Sequence, residues 1–394
     1  MRRRGERHRV LRAAILATPL CLAWLLACTA DVRLGDLAQP EGTGDGSLEG
    51  AGGNDGALVG DSSASIDAPA NDGSLDGALA NDASDANGDG AACAIDCHGN
   101  PCIANVCQAL LLAKGLKSPL YLAVDATDVF FTEMGHAGTA VDPNPVSRIG
   151  KAGGAKVTLA MDDGLPRGIA VDATNVYWND AAEDGAENVW RASKADGSGA
   201  AIAGRMPTPV DIQGIALSQD AIFAASGTQI RYFGKTASMS FGGEATTVLV
   251  HVIGVAVTSD NSFGYGADLG SGALGVLDQK GGTTTPVPLG NQPVDVAIDA
   301  DYAFVATGAQ IVRVSRVDQT TLVLATGLTG AVGVAVDPTT LYFTTQTEVR
   351  KVPKGGGAST VIVTGLSSGG RIVADNTYVF YSDPVLGIIG RAPK

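Results

Sequence analysis

The sequence predicts an all-β fold: residues 109–394 form a seven-bladed β-propeller with four-stranded blades, the last blade closed by an N-terminal strand. Three observations predict it. An apolar strand ending in an Ala-Val-Asp-like motif, a tight turn and an aromatic-rich strand recur seven times. Successive copies are 47, 46, 40, 41, 38 and 38 residues apart, a period that suits propeller blades. The last copy lacks its fourth strand, and a matching segment stands before the first copy.

The elements follow in chain order. Residues 1–27 read as a signal peptide, with Arg2, Arg3, Arg4, Arg7, Arg9 and Arg12 ahead of an apolar stretch from Ala13 to Ala27. That stretch is too short for a dedicated membrane span. It ends in Leu25-Leu26-Ala27-Cys28, which resembles the bacterial lipobox, where the cysteine is diacylated and the chain is cut before it. The resemblance implies lipidation of Cys28, and several acyl chains anchor a soluble domain where a single chain binds only marginally. Thr29, not aspartate, follows the cysteine, which by the enterobacterial pattern implies the outer membrane, facing the periplasm or the cell surface.

Residues 28–92 then form a lipidated cysteine and an acidic tether. Thirteen acids from Asp31 to Asp89 face the single base Arg33 among Gly, Ala, Ser and Asn, so the segment is expected to be disordered. Asp85, Asn87, Asp89, Gly90 and Asp96 have the spacing of a calcium loop and resemble a dockerin loop. No apolar helical pattern flanks them and Ala92 occupies a position where a larger apolar residue is usual, so no metal site is assigned. Removing residues 1–27 leaves 21 basic residues against 40 acidic ones, a balance that argues against nucleic acid as a partner.

Residues 93–108 carry Cys93, Cys97, Cys102 and Cys107, an even number in an exported chain and therefore candidates for two disulfides in any of three pairings. A zinc site is the alternative, but it usually brings two ligands from a C-x2-C turn, which is missing here. The cluster reads as a small staple before the propeller, where so short a segment has too little core to order itself.

In the propeller the copies run as follows. The first is Tyr121-Leu122-Ala123-Val124-Asp125 with Val129-Phe130-Phe131, the second Gly168-Ile169-Ala170-Val171-Asp172 with Val176-Tyr177-Trp178-Asn179-Asp180. The third and fourth end their first strands in Ser218 and Thr258 in place of aspartate, and Asp299, Asp337 and Asp375 mark the last three. A third strand follows, such as Val189-Trp190-Arg191-Ala192 or Ile311-Val312-Arg313-Val314, its basic side chains expected on the exposed face or rim. A Gly-rich hairpin and an outer strand, such as Thr360-Val361-Ile362-Val363, complete each blade. The segment 109–116 resembles 361–366 and is expected to supply the seventh outer strand, removing two open edges.

Residues 168–199, above all Val176-Tyr177-Trp178-Asn179-Asp180, resemble the YWTD and NHL types of propeller repeat, a likeness that extends over 109–394. Lipobox, tether, Cys cluster and propeller together resemble uncharacterised surface lipoproteins of δ-proteobacteria.

Little in the chain points to chemistry. His98 lies outside the ring, His136 follows Glu133 in an extended loop, and His251 precedes the fourth inner strand, with no repeating His pair among them. Streptogramin-lyase-like propellers use a histidine base and metal-binding acids near the channel, a set not recognisable here. Asp125, Asp172, Asp299, Asp337 and Asp375 recur where side chains cap their own turns, which favours a structural role. No catalytic residue and no cofactor is therefore expected. Two atypical loops, 134–145 and the acidic 179–188, are the expected carriers of specificity. The expected function is a monomeric binding or scaffold module, held at a membrane by its lipid anchor, for a protein or glycan ligand on a propeller face. The alternative is a channel-mouth lyase or hydrolase, which would require a histidine to converge with two carboxylates.

Overall fold

The computed structural model describes residues 96–394 except 104–105, 136–142, 182–186, 204–211, 227–228, 236–242, 246–250, 258–262, 279–281 and 284–285. Cys28, Cys93, His136 and the whole of the tether lie outside the described residues. Within them the chain forms a two-stranded hairpin and seven antiparallel propeller sheets, of which the first six pair in sequence order from an inner to an outer strand. Blades 1 to 6 span 119–162, 165–203, 212–245, 252–288, 295–331 and 334–364. In blade 4 the outer position is shared by Gly282–Thr283 and Val287–Pro288, which both pair with Ala273–Asp278.

Blade 7 is assembled from both ends of the propeller region. Ile372–Ala374, Tyr378–Asp383 and Ile388–Pro393 are its first three strands, and Leu110–Ala113 is its fourth. The register pairs Leu110 with Arg391 and Leu111 with Gly390, antiparallel. The same short strand also packs forward, because Leu112 is buried with Phe131, Ile149, Phe380 and Ile389. An expected seven-bladed, strand-closed ring is thus what forms. Closure matters physically because an unpaired strand edge is a template for aggregation.

The core is a set of layers between blades. Most second strands carry adjacent large side chains, and the period of two sends them to opposite neighbours. Phe130 thus packs with Ile169, Val176 and Trp178 of blade 2, while Phe131 packs with Phe380 and Ile389 of blade 7. Phe130, Phe131, Phe223, Phe304, Phe343 and Phe380 all have no exposed surface. Alternation therefore accounts for how so few aromatics fill so large a ring.

The third strands depart from expectation. Arg191, Arg313 and Arg391 do not stand on the rim; each donates from Nη1 to a carbonyl of the following blade, that of Lys235 (2.9 Å), Lys354 (2.7 Å) and Lys151 (2.5 Å) respectively. The reason is the long apolar stem of arginine, which lies along the interblade layer while its head reaches the polar end.

Ahead of the ring, Cys102–Ile103 and Val106–Cys107 pair as a minimal hairpin, and Cys97 is disulfide-bonded to Cys107. Cys102 is also disulfide-bonded. The hairpin is fixed to blade 7 through Arg391, whose Nε donates to Asn100 Oδ1 at 2.8 Å and whose guanidinium lies 4.4 Å over the Tyr378 ring. Asn100 in turn donates from Nδ2 to the Gln108 carbonyl at 2.8 Å.

Substituting Leu112 by Asp should place an unpaired charge in the closing layer and cost about 3–5 kcal/mol. Urea unfolding should show a lower midpoint, with aggregation of the open-edged ring at high protein concentration.

Candidate functional site

Two regions carry polar groups in repeated or convergent positions: the seams between blades and the central channel. At the seams, the aspartate that ends an inner strand uses its two oxygens differently. Asp125 Oδ1 accepts the N–H groups of Thr127 (2.9 Å) and Asp128 (2.8 Å), capping its own turn. Asp172, Asp299, Asp337 and Asp375 cap their turns in the same way.

Oδ2 faces the next blade. Lys194 reaches Asp125 at 2.5 Å, Lys235 reaches Asp172 at 3.5 Å, Lys394 reaches Asp337 at 2.9 Å and Lys151 reaches Asp375 at 2.6 Å. Lys354 makes the equivalent bridge to Asp299. Each lysine ends the third strand of one blade and each aspartate ends the inner strand of the blade before it, so the bridges run around the ring. The Lys151–Asp375 bridge crosses from blade 1 to blade 7, so that five of the seven seams carry such a bridge among the described residues. Four of these lysines, Lys151, Lys194, Lys354 and Lys394, also lie over the aromatic five residues past the aspartate, as Lys194 does at 5.3 Å over Phe130 and Lys394 at 5.4 Å over Tyr342. Where that aromatic is tyrosine, its hydroxyl donates to the same carboxylate, Tyr177 to Asp172 at 2.8 Å and Tyr342 to Asp337 at 3.0 Å.

Blade 4, which has Thr258 in place of the aspartate, shows the rule by exception. The cation of blade 5 is Arg316, which donates from Nε to the Tyr265 hydroxyl at 2.9 Å and from Nη1 to the Asp299 carbonyl at 2.7 Å. Burial by itself would raise the five aspartates, but the lysine and turn N–H groups outweigh it and hold all five below the ordinary carboxylate range.

The channel is built from the inner strands. Four residues before the aspartate or its equivalent, four blades have glycine: Gly168, Gly214, Gly254 and Gly333. A Cβ on Gly168 would lie 2.7 Å from the Gly214 Cα, and one on Gly333 would lie 3.0 Å from the Arg371 Cα. This level is therefore where neighbouring strands come closest, and glycine is required by space. The other three blades place Tyr121, Asp295 and Arg371 there.

These three converge. Arg371 Nη1 lies 2.8 Å from Asp295 Oδ1 and donates to the carbonyls of Val294 (2.9 Å) and Val332 (3.3 Å). Its guanidinium stacks 5.1 Å over the Tyr121 ring, and Asp295 Oδ2 accepts the Val334 N–H at 3.0 Å. Arg371 belongs to blade 7, so its contacts with blades 5, 6 and 1 carry it across the channel and plug this level. Burial pushes the Asp295 carboxyl upward, with the Arg371 charge opposing it. The charge of Asp295 in turn keeps the guanidinium protonated against its own burial.

On the side toward the aspartate turns the channel widens into a cavity of about 420 Å³. Its walls are aliphatic, with Val124, Val171, Leu217, Ala297, Val336 and Ala374 representing six of the blades.

The candidate residues of the sequence do not meet there. His251 is tied into the turn of blade 4, its N–H donating to Asp268 Oδ1 at 2.7 Å. His98 sits on the staple, with Nδ1 3.0 Å from Asp96 Oδ2 and its ring edge toward Tyr378. Glu133 is buried and accepts the Lys117 N–H at 2.9 Å. Among the described residues no group of three His, Cys, Asp or Glu side chains converges to hold a metal. What sequence reasoning missed was the second use of each aspartate and the plug. Their signals were present: a cation at the end of most third strands, and three non-glycine residues at a level otherwise occupied by glycine.

No protein-family profile matches the chain, and no curated protein matches it. Among solved structures, the WD40 β-propeller domain of Doa1 aligns with a TM-score of 0.58 at 10% identity, covering 72% of this chain and 96% of that one. The computationally designed Ika8 protein aligns at 0.53 and 10% identity, over 72% of this chain and 98% of its own. A functionally unknown protein from Desulfotomaculum acetoxidans DSM 771 aligns at 0.53 and 16% identity, over 68% and 90%. These likenesses carry the β-propeller fold and nothing finer.

Three outcomes test the seams and the plug. Lys194→Met should cost about 1–2 kcal/mol, above the range for exposed pairs because both partners are mostly covered. The five depressed aspartates stabilise the fold above the ordinary carboxylate range and lose that contribution as pH falls from that range down through their lower folded values, so the melting temperature should drop steeply in acid. Arg371→Met should cost about 3–5 kcal/mol by leaving Asp295 buried without its cation, and Asp295→Leu in the same chain should recover much of the loss. Chemical denaturation of the single and double variants measures both values.

Proposed function

We propose that the chain is a lipid-anchored binding module of the bacterial envelope or cell surface, which presents its propeller to a protein or glycan ligand. The observation that carries the binding half of this reading is the channel itself. Its walls are aliphatic and its narrow level is occupied by the Arg371–Asp295–Tyr121 cluster, which is saturated by contacts within the ring. An acid–base reaction needs titratable groups held within reach of a bound substrate, and the described side chains that line the cavity are aliphatic. The broad faces of loops are then the places where recognition can vary without disturbing the blades. The likeness of residues 168–199 to YWTD and NHL repeats supports the same reading, since it concerns the blade framework. The anchoring half rests on Leu25-Leu26-Ala27-Cys28, on the arginine-rich start, and on an acidic segment long enough to hold the domain away from a membrane. The outer membrane is the expected site, and a monomer the expected state.

Metabolic labelling with a palmitate analogue tests the anchor: the native chain should be labelled and pelleted with membranes, and Cys28→Ser should lose both properties. Persistent labelling of Cys28→Ser would refute it. For the ligand, cross-linking of the native chain in intact envelopes should give discrete adducts that alanine substitutions in loops 134–145 or 179–188 reduce at least about tenfold, the scale of one interface hot spot. Adducts indifferent to every face loop would count against recognition by a face.

A further inference from the structure

The staple ahead of the ring touches the seam that joins the two ends of the propeller. Its Cys97–Cys107 disulfide spans a sequence separation of 10, and the closing strand Leu110–Ala113 begins just beyond Cys107. Inside that loop the backbone turns sharply. The Asn100 N–H donates to the Cys97 carbonyl at 3.0 Å, and His98 and Gly99 both lie in the left-handed region, at φ of 50° and 79°. Glycine adopts that conformation freely, but a residue with a side chain does so only where its surroundings hold it there. The disulfide is such a restraint, because it ties the start of the turn to the strand Val106–Cys107.

The turn holds Arg391, which is 5% exposed and stands opposite Leu110 of the closing strand. Its Nε donates to Asn100 Oδ1 at 2.8 Å and its Nη2 to the Gly99 carbonyl at 3.3 Å, while Nη1 donates to the Lys151 carbonyl of blade 1. The Tyr378 hydroxyl donates to the His98 carbonyl, so three consecutive residues of the turn supply acceptors to blade 7. Asn100 Nδ2 also donates to the carbonyl of Gln108, just ahead of the closing strand, at 2.8 Å. The closing strand itself is a short ladder in which Leu110, Leu111 and Ala113 pair with blade 7 around a register shift. Asn100 and Arg391 are 291 positions apart, so their contact restrains a very long loop at a cost in chain entropy. If the turn relaxes, Nε and Nη2 of a buried guanidinium lose their acceptors, and that end of the layer is unfavourable until water enters.

We propose that the Cys97–Cys107 disulfide is a redox clasp on the closing strand: oxidised, it keeps blade 7 zipped, and reduced by a dithiol, it releases the turn, then Arg391, then the strand. Cys97 is buried and Cys107 only partly so, which leaves the Cys107 side as the approach for a reductant. One thiolate of the dithiol attacks the Cys107 sulfur, the S–S bond breaks, and Cys97 leaves as a thiolate that takes up a proton. The second thiol then attacks the mixed disulfide, expels Cys107 as a thiol and completes the reductant's own disulfide. Two electrons and two protons pass to the cysteine pair, and no other bond changes. The Lys151–Asp375 bridge on the same seam, at 2.6 Å, contains no sulfur. Reduction therefore loosens the closing strand without parting blades 1 and 7.

Hydrogen exchange of the full chain, read by mass spectrometry, follows the closure directly. With dithiothreitol under native conditions, residues 110–113 and 388–391 should exchange at least about tenfold faster, the scale of a few lost hydrogen bonds, while 302–315 of blade 5 stays unchanged. Cys97→Ser combined with Cys107→Ser should show the same acceleration without reductant, which separates this bond from the one made by Cys102. Asn100→Ala should accelerate exchange in the oxidised chain and add nothing in the reduced one. Unchanged exchange at 110–113, once alkylation has shown Cys97 and Cys107 to be reduced, would overturn the proposal. Acceleration shared equally by every blade would overturn it too, as would a folded serine pair that exchanges like the oxidised chain. If the serine pair does not fold, Asn100→Ala decides: an effect that persists undiminished after reduction sinks the clasp.

Discussion

The carboxylate that ends an inner strand holds two pieces of this ring together with two oxygens. One oxygen accepts the N–H groups of its own turn and so fixes where the strand stops. The other accepts the lysine of the following blade, whose ammonium also lies over an aromatic ring. A blade is a sheet with two apolar faces, and the hydrophobic layers between blades are non-directional. They press blades together without setting how far one slides along the next. The aspartate–lysine bridges supply that direction at the end of five of the seven layers, and the Lys151–Asp375 bridge does so at the seam where the two chain ends of the propeller meet. Arg391 works beside it, joining blade 7 to blade 1 and to the disulfide-bonded hairpin.

At the opposite end of the inner strands the constraint is space. Seven strands converging on an axis crowd one another, and glycine at four of the seven positions relieves the crowding. The volume released is filled by three side chains whose charges and ring satisfy one another. Removing water from the Arg371–Asp295 pair is costly, and the carbonyls of Val294 and Val332 with the Val334 N–H supply the hydrogen bonds that offset that cost. The channel is thus closed by structure at one level and lined by aliphatic side chains at the next, which is why recognition is assigned to the faces.

Much of this was legible beforehand. The repeat, its count and the split blade follow from strand patterns that each copy restates, so errors in one copy are corrected by the others. The same redundancy misdirected the reading of the aspartates. A residue repeated at a turn is explained by the turn, and the partner of its second oxygen sits some forty or more residues away in another blade. The basic side chains of the third strands were expected on the exposed face or rim for a related reason. Alternation tells which side of a sheet a residue faces, but not that a long stem runs along a layer to a carbonyl in the next blade.

The amino-acid sequence by itself determined the strand order, the number of blades and the closure of the last blade by the first strand. These depend on local alternation, on turn residues and on the phase of the repeat relative to the chain ends. Only the tertiary structure decided which side chains meet across blades: Lys194 with Asp125, Arg371 with Asp295, and Trp178 with Asp162. Those contacts depend on the angle and spacing between sheets, set by the packing of all seven together, and no local pattern encodes a distance that the whole ring determines.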